Sequence, residues 1–280
     1  MSKTKIVVIL TLLLGIGLLI FTASHIKNVK SIYREGDMCY ENIRSQIRNE
    51  DVNDMNMITQ NATIPQDTTG RGLSPELNNG NDTETDRIDT VYIPEIDINF
   101  EVLEEISDNS VAWLYSPGSP IDYPVMKTTD NNYYLNHLPD GTINVNGALF
   151  IDRNNAPDFS DQITVIYGHN MRSEKMFGSL KWYRNQEYYD EFPYMYLYTS
   201  QSNYRIDLLF GCVVSSGFLK NIITNNNQVV DMLIEHANNN TTFKASAQYS
   251  DNDRLVIMST CAYDYDNARY IIIGVLRDQY

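Results

Sequence analysis

Cysteine and basic residues are both scarce in this chain of 280 residues. The three cysteines, Cys39, Cys212 and Cys261, form no C-x-x-C pair. Because an odd number of cysteines cannot close a disulfide framework, at least one thiol stays free. Lysine and arginine number 21 against 36 aspartates and glutamates, a formal charge of −15. Since phosphate binding needs clustered basic side chains, nucleic acid is not the expected partner.

Metal-binding motifs are also missing. The sequence has no His-Glu-x-x-His, and the acidic pairs Asp251-x-Asp253 and Asp264-x-Asp266 lack the ligand spacing of a calcium loop. We interpret these pairs as solvated turns and expect neither a metal nor a cofactor. A content of 42 % hydrophobic residues is enough for a folded core, so a wholly disordered chain is excluded.

One long uncharged run stands near the start of the chain. Ile6 to Ala23 reads IVVILTLLLGIGLLIFTA and follows Lys3 and Lys5. At about 1.5 Å per residue, the run is just long enough to cross the hydrocarbon layer of a membrane. We predict that residues 1–24 form a single-pass transmembrane anchor with the rest of the chain outside the cell. A cleaved signal peptide and a buried core helix are the alternatives.

Three regions follow the predicted anchor. Residues 25–60 carry apolar side chains at helical spacing, which predicts a juxtamembrane helix, interrupted near Gly36, that is either a stalk or packed on the main domain. Residues 61–90 are rich in Asn, Asp, Thr, Gly and Pro, which predicts a flexible linker. Residues 91–280 form the predicted globular domain.

Short β-like runs dominate the globular region. They are rich in Val, Ile, Tyr and Phe, and the predicted strands are Ala112–Tyr115, Ala148–Ile151, Gln162–Tyr167, Tyr194–Tyr198, Tyr204–Val214, Arg254–Thr260 and Tyr270–Leu276. Helical periodicity is weaker, and the predicted helices are Asn131–Leu138, Met176–Tyr183 and Gln228–Asn238. Many strands with few helices predict a mainly β fold, a mostly antiparallel barrel or sandwich.

Two predicted strands end in residues that can carry chemistry. ITVIYGHN leads through Gly168 to His169, and LVIMSTC ends at Cys261. A thiol attacks as thiolate, so it needs an imidazole or a positive charge nearby. If strands 254–260 and 270–276 are adjacent, Arg269 returns to the same end of the sheet. Taken singly, each could be structural: a buried cysteine, a hydrogen-bonded histidine, an ion-paired arginine.

Several motifs together resemble one family. VAWLYSPGSPIDYPVMKTTDNNYYL, GALFIDRNN, VIYGHNM, MFGSLKWY and STCAYDYDNARYIIIG stand in the order typical of class B sortases, the membrane-anchored cysteine transpeptidases of Gram-positive bacteria. The resemblance covers about residues 100–280. The sequence departs from it before the nucleophile: sortases commonly read Thr-Leu-x-Thr-Cys, and this chain has Ile257-Met258-Ser259-Thr260-Cys261.

The resemblance implies a fold and a site. The fold is an eight-stranded sortase-type β-barrel with N-terminal helices and a helical insertion, here about Phe218 to Ala247, before the Cys strand. Cys261 matches the nucleophile, His169 the general acid/base, and Arg269 the residue that orients the substrate and stabilises the oxyanion. The positions that line the peptide groove in class B enzymes are matched by Asn131, Leu135, Ser259 and Thr260.

The implied function is transpeptidation at the cell surface. The enzyme would cleave a C-terminal sorting signal of exported proteins and pass the acyl group to an amine of a peptidoglycan precursor or a pilin. Two alternatives use the same residues differently or not at all. The first is a hydrolytic cysteine protease with Cys261 and His169, and the second is a non-catalytic surface-binding module that uses the 20 tyrosines for contact area.

Overall fold

The protein folds into a closed β-barrel of eight strands. The computed structural model describes residues 3–48, 96–224 and 228–278, with side chains described from residue 13 in the first range and from residue 230 in the last. The strands are β1 Ser110–Tyr115, β2 Asp122–Met126, β3 Leu149–Ile151, β4 Ile163–Tyr167, β5 Tyr194–Tyr198, β6 Asn203–Ser215, β7 Arg254–Cys261 and β8 Ala268–Asp278. Around the barrel their order is β1-β2-β3-β4-β7-β8-β6-β5.

The pairing is mostly antiparallel, as the sequence predicts. Only β2 with β3 and β4 with β7 run parallel among the eight pairings of the described strands. All seven predicted strands are present with bounds shifted by a few residues. Strand β2 is not among the predicted strands: Pro124 lacks a backbone N–H, and a proline in the middle of a run argues against a strand. Pro124 nevertheless sits in register with Trp113 of β1.

Helices lie outside the barrel and between its strands. They are α1 Lys3–Ile47, α2 Phe100–Ile106, α3 Gln186–Glu191, α4 Ser216–Thr224 and α5 Gln228–Asn240. The last two connect β6 to β7 and occupy the implied insertion, and α5 confirms the helix predicted from periodicity. The helices predicted at 131–138 and 176–183 are wrong in type, since those segments contain 3₁₀ helices at Tyr133–Leu135 and Gly178–Arg184.

The predicted interruption at Gly36 is wrong, because α1 continues through it. The glycine serves close packing instead of a break: a Cβ at this position would lie 2.2 Å from the Nδ2 atom of Asn146. Farther along α1, Tyr40, Ile43 and Ile47 are buried against the barrel. The end of α1 is therefore packed on the main domain, one of the two predicted arrangements for this segment.

Two parts of the predicted domain organisation fall on undescribed residues. The linker 61–90 and the domain start at 91 lie outside the described residues. For the predicted anchor, residues 1–24, the side chains of 1–12 are also outside them. Across the described ranges, no helix has a stretch both long and apolar enough to span a membrane.

The core has two layers, because successive side chains of a strand point to opposite faces. Ile166, Met258 and Ile272 belong to the cluster inside the barrel. Their neighbours along the same strands belong to a second cluster outside the barrel wall, which α4 and α5 cover; this layer contains Val165, Ile257, Ile271, Leu219 and Leu233. A side chain near the end of one of these strands therefore belongs to the same layer as the residue two or four positions before or after it.

Candidate active site

Three neighbouring strands bring the candidate catalytic residues to one rim of the barrel. β4 and β7 run parallel with Tyr167 opposite Ser259, so the residues that follow each strand leave the sheet at the same end. β7 and β8 are antiparallel, and Cys261 is directly opposite Arg269. Strands 254–260 and 270–276 are therefore adjacent, which is the condition under which the sequence placed Arg269 at the same end of the sheet as Cys261.

The pleat also sets the direction of the thiol and the guanidinium. Counting in steps of two from Ile257 on β7 and from Ile271 on β8 reaches Cys261 and Arg269, so both side chains lie on the layer that α4 covers. Directly opposite residues have Cβ atoms roughly 4.5–5.5 Å apart. The sheet register therefore holds a cationic side chain beside the sulfur.

A cleft of about 590 Å³ opens at this rim, between the end of the barrel and α4. Its walls include all seven site residues predicted from the sequence: Asn131, Leu135, His169, Ser259, Thr260, Cys261 and Arg269. Apolar side chains of α4 close the opposite side, namely Leu219 and Ile223. The cleft thus combines an apolar wall with a few polar groups, the usual composition of a ligand site.

His169 is held by a backbone carbonyl. Its Nε2 atom lies 2.6 Å from the carbonyl oxygen of Leu135. A carbonyl oxygen can only accept, so Nε2 carries a proton in this arrangement and Nδ1 is left to exchange protons with a reactant. Leu135 is one of the predicted groove residues, but the role of its carbonyl was not predicted, because every residue type has the same backbone oxygen.

Hydrogen bonds between the ends of β4 and β7 fix the geometry of the rim. The hydroxyl of Thr260 donates to the carbonyl of Gly168 at 2.8 Å, and the Asn170 amide donates to the carbonyl of Cys261 at 2.7 Å. The backbone N–H of Gly168 in turn donates to the carbonyl of Ser259 at 3.1 Å. These bonds lock the turn that carries His169 to the strand that carries the thiol.

Two of the predicted groove residues offer little side-chain surface. Ser259 is 1 % and Thr260 is 3 % exposed. The Thr260 hydroxyl is already engaged, and the buried Ser259 hydroxyl has no hydrogen-bond partner among the described residues. Their role in substrate binding stays a prediction. The contacts above show a supporting role in the rim.

A buried carboxylate that was not predicted from the sequence holds together another wall of the cleft. Asp152, just after β3, accepts hydrogen bonds from the Asn131 amide at 2.7 Å and the Tyr167 hydroxyl at 3.0 Å. Burial, reinforced by Asp152, raises the pKa of Tyr167 well above its usual range, while the charge of Arg269 acts in the opposite direction. Tyr167 is thus a hydrogen-bond donor within the electrostatic reach of Arg269. The GALFIDRNN motif contains Asp152, but nothing in it distinguishes this acid from a surface one.

Comparisons with known proteins agree with this geometry. No protein-family model matches the chain. It is 28 % identical over 218 residues to Sortase B of Listeria monocytogenes, a match that covers 73 % of this chain and 88 % of the relative. It is 22 % identical over 179 residues to Sortase B of Staphylococcus aureus, covering 62 % and 73 %. This chain belongs to the class B sortases. A crystal structure of Clostridium perfringens sortase B superposes on this sortase with a TM-score of 0.59 at 26 % identity, over 64 % of this chain and all of that one.

The fold of this sortase is therefore the expected barrel, and sortases are cysteine transpeptidases. Among the three cysteines, the surroundings differ. Burial and Asp140 raise the pKa of Cys39 to about 12, and burial raises the pKa of Cys212 to about 12. Both thiols stay protonated at neutral pH, and a protonated thiol is a poor nucleophile. Cys261 is the cysteine that faces the cleft.

This difference predicts selective alkylation. Iodoacetamide added to the native full-length sortase near pH 8 is expected to modify Cys261 first, with Cys39 and Cys212 reacting only after denaturation, because the thiolate is the reactive form. Peptide mapping by mass spectrometry at timed intervals measures the order. Labelling of Cys39 as fast as Cys261 in the folded protein would contradict the assignment.

Proposed function

We propose that this class B sortase cleaves a C-terminal sorting signal of exported proteins and transfers the new acyl group to a cell-wall or pilin amine. The observation that carries the proposal is the direct cross-strand pairing of Cys261 with Arg269 in a cleft that His169 also lines. Thiol, guanidinium and imidazole are the groups that acyl transfer needs: a nucleophile, an oxyanion donor and a proton carrier.

In the first step, the Cys261 thiol passes its proton to Nδ1 of His169, the sulfur attacks the carbonyl carbon of the scissile amide, and a C–S bond forms. The Arg269 guanidinium stabilises the charge that develops on the carbonyl oxygen, since it stays protonated and presents several N–H donors in a plane. The C–N bond then breaks, and His169 gives the leaving amine its proton through Nδ1. A thioester on Cys261 remains.

In the second step, an acceptor amine replaces the thiolate. His169 removes a proton from the incoming amine, the new C–N bond forms, and the C–S bond breaks to return Cys261. Asn131, Leu135, Ser259 and Thr260 would form the wall along which the sorting peptide lies. The apolar side of the cleft supports this placement, because Leu219 and Ile223 leave room for uncharged side chains of a peptide.

We further propose that the enzyme works at the cell surface, held by its N-terminal apolar segment. Support comes from the charge-free run Ile6 to Ala23 and from the exposure of its described part, in which Leu14 is 79 % and Phe21 is 70 % exposed. Large apolar side chains left in the open need a nonpolar environment or partner.

Mass spectrometry of the full-length protein tests the reaction. The enzyme is mixed with peptides that carry candidate sorting signals, with and without a saturating amine acceptor. We expect a thioester adduct on Cys261 that the amine converts to an amide product. Release of free acid alone at saturating amine would make the protein a hydrolase, and peptide binding with no adduct and no cleavage would make it a binding module.

A further inference from the structure

Tyr40, on the N-terminal helix α1, is connected to His169 through one intervening residue, Gly147. Tyr40 of α1 is 2 % exposed and packs edge-on against Tyr123 inside the barrel cluster, with ring centroids 5.1 Å apart. Its hydroxyl donates a hydrogen bond to the carbonyl of Gly147. Burial raises the pKa of Tyr40 well above its usual range, so the hydroxyl keeps its proton and acts as a donor.

Gly147 in turn packs against the group that holds the histidine. Its φ of +58° is in the left-handed region that favours glycine. A Cβ built there would lie 2.4 Å from the Tyr134 oxygen, 3.0 Å from the Leu135 oxygen and 3.1 Å from the Cδ2 atom of His169. The space beside the Gly147 Cα is thus occupied by the His169 ring and by the carbonyl that binds its Nε2 atom, so no side chain fits there.

The same loop has two further ties to α1. The amide of Asn144 donates to the carbonyl of Ile32 at 2.9 Å, and the amide of Asn146 donates to the carbonyl of Tyr33 at 3.3 Å. Both asparagines are almost fully buried. Loops are generally more mobile than the helices and strands that they connect. The buried hydrogen bonds from Asn144 and Asn146 therefore fix the position of this loop relative to α1.

We propose that Tyr40 is a positioning residue for the transpeptidation: through Gly147 it fixes the Leu135 carbonyl and thereby the tautomer and orientation of the His169 ring. The inference rests on the proposed role of His169 as acid/base. Without the Tyr40 hydroxyl, the Gly147 carbonyl loses its partner and the loop relaxes. The Leu135 carbonyl then no longer selects the Nε2-protonated form, and fewer molecules present Nδ1 ready to accept a proton.

The test compares two tyrosine-to-phenylalanine variants of the full chain. Tyr40→Phe removes the hydroxyl and keeps the ring. Tyr183→Phe is the matched control, because Tyr183 is equally buried and its hydroxyl also donates to a backbone carbonyl, that of Phe192, outside the cleft. We expect Tyr40→Phe to lower kcat roughly tenfold or more with KM changed less than about twofold, since small misplacements of a reacting group act on kcat. Tyr183→Phe is expected to keep kcat within about twofold of the parent.

A spectroscopic readout separates positioning from loss of stability. The ¹⁵N signals of the His169 ring, assigned by comparison with His169→Ala, report which nitrogen carries the proton. We expect Tyr40→Phe to raise the Nδ1-protonated form while Tyr183→Phe leaves the ring signals unchanged. If Tyr40→Phe does not fold, Asn146→Ala, which removes the bond to the Tyr33 carbonyl, is expected to move the ring signals in the same direction.

Two results would overturn the inference: unchanged kcat and ring signals in folded Tyr40→Phe, or equal losses in the Tyr40 and Tyr183 variants. Failure of the proposed function looks different, because the parent enzyme itself would then form no amide product at saturating amine. The ring signals need no activity, so the link from Tyr40 to His169 is measured in either case.

Discussion

Cys261→Ala is expected to lower transpeptidation by roughly 10³-fold or more, because the variant has no group that can form the acyl intermediate. The fold should stay intact, since Cys261 stands at the open rim and not in the core. The measurement is the rate of amide product formation from a sorting peptide and a saturating amine, together with the loss of the thioester adduct in the mass spectrum.

Cys39→Ala is the matched control for the thiol. Cys39 is also only partly buried, its thiol contacts the Asp140 carboxylate at 3.6 Å, and it is not among the residues that line the cleft. We expect this variant to form product at nearly the parent rate. A Cys261→Ala protein that still anchors its substrates in cells, at the parent level, would favour the binding module instead.

Arg269→Lys is expected to lower kcat by roughly 10²–10³-fold even though the positive charge is kept. A planar guanidinium can offer two N–H groups to one developing oxyanion, whereas an ammonium on a flexible stem does not reproduce that geometry. In this structure one guanidinium nitrogen already donates to the carbonyl of Ala268 at 3.0 Å, which fixes the plane of the side chain. Steady-state kinetics with peptide and amine measure the change.

The control for Arg269 lies on the same strand. Arg277 of β8 pairs with Asp253 at 2.9 Å and contacts Asp207 at 3.6 Å, at the end of β8 opposite Arg269. Arg277→Lys is therefore expected to leave kcat within about twofold of the parent, with any effect confined to stability because partly exposed pairs contribute little. Equal losses of kcat in both variants would show that Arg269 has no specific part in the chemistry.

The residue patterns by themselves predicted a mainly β fold, a barrel or a sandwich, and the resemblance to class B sortases narrowed this to the eight-stranded barrel that the structure shows. Composition predicted the strand that leads to Cys261 and the strand that follows Arg269, but whether these two strands are adjacent stayed a condition until the structure showed their pairing. The secondary-structure predictions were wrong where tertiary packing outweighed the usual preference of a single residue. Pro124 argued against β2, and Gly36 suggested a break in a helix that in fact needs a missing Cβ to accept Asn146.

Contacts between residues far apart in the chain could not be predicted from the sequence. The bond from His169 to the Leu135 carbonyl spans 34 residues, and the bond from Tyr40 to Gly147 spans 107. Both use backbone oxygens, which every residue has, so neither residue type nor spacing distinguishes them. The burial of Asp152 is of the same kind, because it depends on how Asn131 and Tyr167 come together in the folded cleft.

The pairing of Cys261 with Arg269 has a consequence for protein engineering. The separation of these two groups is set by the strand pairing beneath them. The hairpin tip that joins them, residues 262–267, is held at its base by the bond from the N–H of Ala262 to the carbonyl of Ala268 at 3.0 Å and in its middle by the ion pair of Asp264 with Arg184 at 2.7 Å. A grafted tip that keeps Asp264 paired with Arg184 would leave the reacting atoms where they are. Libraries that vary the other positions of this tip can thus search for new acceptor preferences without disturbing bond cleavage.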